Sequence, residues 1–181
     1  MRLLILSVTA LLTLTTCAAP KPLPRLPQPP PTKTTVLLPP PSAVKSVATQ
    51  PVGHWTDWPM ETGSWTYAQD DRGSIARFGI AGKDAAVMLR CDKGRARVFL
   101  SRAAVAGGSM TVRTSSTSKA MAMQPTGTQP SYAASEMMVG DAILDAMAFS
   151  RGRVAFELAG AQNIAVPVWS EIGRVIEDCR R

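Results

Sequence analysis

The chain has 181 residues, 45% of them hydrophobic, 18% charged and 6% aromatic, with a formal net charge of +7. That length holds one ordinary domain with extensions rather than two full ones, and the apolar content excludes a chain disordered throughout. Three cysteines and one histidine leave little material for a metal centre or a histidine-based active site, and beyond residue 16 no apolar run approaches the ~18 residues that span a bilayer.

Met1-Arg2 followed by the apolar run from Leu3 to Leu12 has the charged start and short hydrophobic stretch of an export signal, which assigns residues 1–16 to a signal peptide. Leu14-Thr15-Thr16-Cys17 then resembles the bacterial lipobox, in which a Leu stands three residues before a lipidated Cys. Thr16 departs from the Gly, Ala or Ser usual at that place; ordinary cleavage near Ala18 is the alternative. Cysteine counting favours the lipid, because pairing two of three cysteines in an exported chain leaves one over, and Cys17 stands far from the other two. Ala18 after the cysteine, in place of Asp, resembles the pattern of lipoproteins sent to the outer membrane. The expectation is an exported lipoprotein facing the periplasm, on the outer rather than the inner membrane.

Residues 17–52 read as a lipidated cysteine followed by a proline-rich linker. Ten of the fifteen prolines lie between Pro20 and Pro41. Proline fixes φ and has no N–H, so this stretch suits extended polyproline II, a semi-rigid spacer with a reach on the order of 100 Å. Lys21, Arg25, Lys33 and Lys45 make it cationic, which favours contact with anionic lipid or cell-wall polymer.

From Gly53 the composition changes, and residues 53–181 read as one β-rich domain. Trp65 and Tyr67 share a strand face; Ile75-Ala76-Arg77-Phe78 alternates after a turn at Asp70-Asp71-Arg72-Gly73. Ala85, Val87, Leu89 and Cys91 line one face of the next strand, and Arg97 to Arg102 and Met110 to Thr114 follow, with Lys119 to Met123 as a further short strand. Asp141 is placed to cap a short helix with Ile143, Leu144, Met147 and Ala148 inward. Val154 to Leu158 and Ile164 to Val168 form a hairpin, with Pro167 marking an edge strand. Ser170 then opens a helix whose stripe is Ile172, Val175, Ile176 and Cys179. The fold class is therefore α+β and mostly β: an antiparallel meander or sandwich-like domain with a short helix and a C-terminal helix.

Cys91 ends an apolar strand face and Cys179 sits on the apolar stripe of the last helix, so both point into one core. A Cys91–Cys179 disulfide follows, pinning the helix to the sheet in an oxidising compartment. This order of elements, with the Ser-Arg-Gly-Arg segment at residues 150–153 and the Arg-Val-Ile-Glu-Asp-Cys-Arg ending at residues 174–180, resembles small exported β-sandwich domains. They are those of the invasion-associated locus B type, a periplasmic accessory protein of type VI secretion and related proteobacterial lipoproteins. The resemblance spans residues 62–180. It implies an envelope accessory or binding role and carries over no catalytic residue.

Chemistry-bearing strings are weak. Ser116-Thr117-Ser118-Lys119 matches the Ser-x-x-Lys string of penicillin-binding enzymes without its partner motifs. His54 has no Cys or His partner nearby in the chain, and neither metal nor cofactor is expected. Arg90, Lys93, Arg95, Arg97, Arg102 and Arg113 crowd 24 residues with only Asp92 opposing. Arg95, Arg97 and Arg113 are accordingly the candidate anion-binding face, set against the plainer reading of a solvated sheet face. Trp55, Trp58, Arg151 and Arg153 are the candidate partner surface, set against a cap on one end of the sandwich. Nucleic acid is not expected, and the chain reads as a monomer. The leading expectation is a non-catalytic accessory or binding module anchored in the envelope; a periplasmic hydrolase and a purely structural stalked lipoprotein are the alternatives.

Overall fold

The computed structural model describes residues 50–181, so the expected signal peptide, the Cys17 lipid site and residues 17–49 of the linker lie outside the described residues. Gln50 is already fastened to the domain: its side chain donates to Ala161 O at 2.8 Å and accepts from Asn163 N at 2.9 Å.

Among the described residues nine strands form one sheet in the order β1-β2-β3-β4-β7-β6-β5-β8-β9. They are β1 (Ser64–Asp70), β2 (Gly73–Gly79), β3 (Val87–Asp92), β4 (Arg97–Ala103), β5 (Gly108–Arg113), β6 (Ser118–Pro125), β7 (Tyr132–Met138), β8 (Arg153–Leu158) and β9 (Ile164–Pro167). Every strand pair is antiparallel. Two helices complete the domain, α1 (Ala142–Ala148) and α2 (Ser170–Arg180). The β6–β7 link is only two residue pairs long, Gln124↔Ala134 and Pro125↔Ala133. On either side of this narrow join the sheet curls, so that Phe78, Leu89 and Leu100 from one half meet Val112, Phe156 and Val166 from the other in one core.

Local pattern accounts for most of these elements. Alternation buries Val87, Leu89 and Cys91 on β3 and Met110 and Val112 on β5. Asp141 caps α1 by accepting from Ile143 N at 3.2 Å, and Ile143, Leu144 and Met147 are buried. The whole α2 stripe of Ile172, Val175, Ile176 and Cys179 is buried against β2 and β3. Cys91 and Cys179 form the expected disulfide, with Cα atoms 5.3 Å apart. Arg180 holds α2 to α1 through a two-pronged pair with Asp145 at 2.7 and 3.1 Å.

Three features differ from the sequence-based reading. The domain has nine strands rather than a shorter series, because β7 forms from Tyr-Ala-Ala-Ser-Glu-Met-Met, a run with little intrinsic β preference. Its seven registered pairs with β4, from Arg97↔Met138 to Ala103↔Tyr132, impose the strand from outside. The β4–β7 crossover also breaks the meander after its fourth strand. At α2 the capping position belongs to Trp169 with no side-chain cap, and Ser170 is the first helical residue.

Candidate functional site

The cations expected to form one face are dispersed and neutralised. Arg95 lies in a 3-10 turn (Lys93–Arg95) rather than on a strand, held by Asp92, which accepts from Arg95 N at 3.2 Å. Its guanidinium sits 2.9 Å from Glu136 and 5.2 Å above the Phe99 ring. Arg97 opens β4 and approaches the same carboxylate at 3.0 Å. The register sets Phe99 opposite Glu136, which makes Glu136 the diagonal neighbour of Arg97. Arg113 ends β5 opposite Ala155, with Glu157 diagonal to it, and the two close a fork at 2.6 and 3.0 Å. That carboxylate raises the Arg113 pKa further.

Arg113 is therefore separated from β4 by β7 and β6 and shares no free face with Arg95 and Arg97. Counting charges along the chain overlooked Glu136 and Glu157 because they stand 41 and 44 positions from their arginines and are delivered by strand pairing. Arg102, from the same basic run, is buried at 3% exposure.

Exposed pairs of this kind act mainly through acid stability. Arg90 grips Asp70 at 3.0 and 2.6 Å, and this hydrogen bonding holds the Asp70 carboxyl down at about 2. Arg72 lowers Asp92 and Arg180 lowers Asp145 by the same means. A carboxyl depressed in the folded state stabilises above its unfolded value near ~3.9 and loses that contribution as pH falls through its folded value. Thermal midpoints should therefore stay level from about pH 7 to 5 and drop between about pH 4 and 2. Arg90→Gln should flatten that acid limb, and an unchanged limb would remove Asp70 from the account.

The entrance residues serve the fold. Trp58 is 5% exposed, packs with Ala155 and Ala165, and donates to Gly53 O at 3.1 Å. Arg153 donates to Trp58 O at 2.6 Å, and Trp55 rests half-buried on the same cluster. Trp58 and Arg153, expected at a partner surface, instead clamp the entering chain onto β8 and β9, because the Trp58 ring packs on Ala155 of β8 and Ala165 of β9 while Arg153 of β8 holds the Trp58 carbonyl. Arg151 is exposed, its backbone N–H donating to Ser115 Oγ at 2.9 Å. Ser150 is buried and donates to Arg153 O at 2.6 Å.

The remaining candidates for chemistry are committed to turns. Thr114 Oγ1 donates to Thr117 O at 2.8 Å, so the Ser-x-x-Lys string spans the β5–β6 turn and the first residues of β6, and Lys119 pairs with the helix-capping Asp141. His54 contacts Thr56 Oγ1 at 2.8 Å on an exposed turn.

Two grooves were not anticipated. One, of about 480 Å³, lies between the end of α1 and the start of α2, flanked by Phe149 and Trp169. These aromatics are 82% and 44% exposed. A second, of about 500 Å³, sits at the open end of the β1–β2 hairpin and contains Arg77 and Lys83. Phe149 falls just past the α1 stripe and Trp169 just past the β9 alternation, which is the one sequence signal that would have flagged them.

Fold and site together define a disulfide-stapled, curled antiparallel-sheet domain with surface grooves beside α1–α2 and at the β1–β2 hairpin. No family model matches the chain, and no curated protein or solved structure shows significant similarity to it.

Proposed function

We propose that the chain is a non-catalytic envelope lipoprotein, an accessory or binding module tethered to the membrane through Cys17 and its proline-rich linker. The observation that carries this reading is the exposed aromatic pair Phe149 and Trp169 beside the α1–α2 groove. Large aromatics left in water around a concave patch are the usual anchors of a protein interface. Export is supported by the Cys91–Cys179 bond, since cytosolic thiols are kept reduced. The resemblance to periplasmic accessory domains supports the same role.

Three measurements test the two halves. The intact mass of the native protein should equal the chain cleaved before Cys17 plus acyl groups, and reduction should add two hydrogens. Cys17→Ala should move the protein from the membrane to the soluble fraction; an unacylated native mass would sink the anchor. Crosslinked envelopes should yield a partner with wild-type chain and lose it with the Phe149→Ala/Trp169→Ala variant. Recovery of nothing beyond abundant lipoproteins would sink the binding role.

A further inference from the structure

We propose that the groove at the open end of the β1–β2 hairpin binds an anionic carbohydrate, a sugar bearing carboxylate or phosphate groups. It deepens the binding-module reading by naming a ligand class, and rests on that reading but not on the lipid anchor.

Strand pleating assembles the groove. Trp65 and Phe78 face inward as an opposed pair with ring centres 5.4 Å apart. Ser64, Thr66, Arg77 and Gly79 consequently face outward, with Ser64 opposite Gly79 and Thr66 opposite Arg77. Residues 80–84 then turn back over this face, held by Lys83 N donating to Ile80 O at 3.0 Å and Ala86 N donating to Phe78 O at 2.8 Å. Two glycines permit the close approach. A Cβ on Gly63, whose φ is +150°, would stand 2.7 Å from the Gly79 carbonyl, and one on Gly79 would stand 3.1 Å from Ala85 Cα. The floor is therefore bare backbone beneath a space of about 500 Å³.

The lining has two chemistries. Arg77 and Lys83 make no ion pair with a carboxylate among the described residues, unlike the arginines of β3, β4 and β5, Arg102 excepted. Asp84, beside Lys83 in the chain, and Glu61, beside Thr62, both lie more than 4.0 Å from the charged atoms of these cations. Thr62 and Ser64 make no side-chain hydrogen bond among the described residues, and Thr66 Oγ1 makes only a long one, 3.4 Å to Arg77 O. Two unpaired cations beside three available hydroxyls, with the half-exposed Ile80 at the lip, match a ring that has an apolar C–H face, a hydroxyl edge and an acidic substituent. The volume exceeds what one inorganic anion fills. The lining contains no aromatic ring on which a nucleobase would stack.

The test uses the full-length, disulfide-intact chain in calorimetric titrations. An oligogalacturonate represents an acidic polymer, glucose 6-phosphate a free phosphorylated sugar, and a maltooligosaccharide of equal length the uncharged control. Saturable binding of either charged probe is expected, and whichever binds more tightly identifies the source. Arg77→Gln and Lys83→Gln should each weaken it about fivefold, as expected for partly exposed charge pairs. Ser64→Tyr should abolish it by filling the groove while leaving both charges. Lys93→Gln and Arg151→Gln, which remove free cations elsewhere, should leave it unchanged. Equal binding of the neutral sugar, equal losses at the two control positions, or no saturable binding of any probe would overturn the proposal. A soluble, unacylated protein that still binds the charged sugar would refute the anchor alone, whereas loss of sugar binding would leave the mass and crosslinking results standing.

Discussion

Reduction of the Cys91–Cys179 bond should lower the domain's stability by about 4–5 kcal/mol, the largest single loss expected of any local change. The bond closes a sequence separation of 88, so opening it returns a long loop's worth of conformational freedom to the unfolded chain. The folded state loses as well. An eleven-residue helix such as α2 has little stability of its own in water, and the bond anchors its buried stripe to β3 at the last turn. Urea unfolding of the same chain with and without reductant is the direct measurement. Hydrogen exchange should show α2 amides losing protection before those of β3 and β4. A shift below about 1 kcal/mol would mean that burial of Ile172, Val175 and Ile176 alone holds the helix.

The second large effect is expected at Arg102. It stands inward on β4 with Val98 and Leu100, and its guanidinium donates to Ala86 O at 2.8 Å and to Gln162 O at 3.0 Å. Gln162 belongs to the turn between β8 and β9, so this side chain joins the two halves of the curl across its open end. Burial pushes its pKa down to about 10, offset in part by the nearby Glu61 charge, so the group is a cation at neutral pH that is hydrogen-bonded to carbonyls rather than to a carboxylate.

Arg102→Ala should cost about 3 kcal/mol, because it opens a cavity and leaves the Gln162 carbonyl without its donor. Arg102→Met should cost only about 1 kcal/mol, since it keeps the stem volume and removes a charge that is expensive to bury. The order Ala worse than Met, read from urea midpoints, is the diagnostic result. Equal losses would mean that the hydrogen bonds dominate and the packed stem contributes little.

The position of Arg102 was legible in the sequence, and so was much of the fold. Val98, Leu100 and Arg102 fall on one parity of a strand, and alternation alone turns all three inward. Reading the arginine as part of a basic run, by its neighbours in the chain, obscured that. The same alternation places the core of β3 and β5, the 3.6-residue period places the stripe of α2, and a helix-capping Asp141 marks α1. These are local signals, set by backbone geometry over one or two turns or a few strand residues.

The sequence by itself therefore determined the mostly β architecture, the cysteine pairing and the α2 stripe, along with the expectation of export. Only the tertiary structure decided which charges remain free. Glu136 meets Arg95 and Arg97, and Glu157 meets Arg113, through strand registers that join positions some forty residues apart. Register depends on the packing of the whole curled sheet, as does β7, which exists because β4 offers it an open edge. For the same reason two of the unpaired cations, Arg77 and Lys83, come together at the β1–β2 hairpin and the turn after it, and the exposed aromatics are Phe149 and Trp169 rather than the buried Trp58.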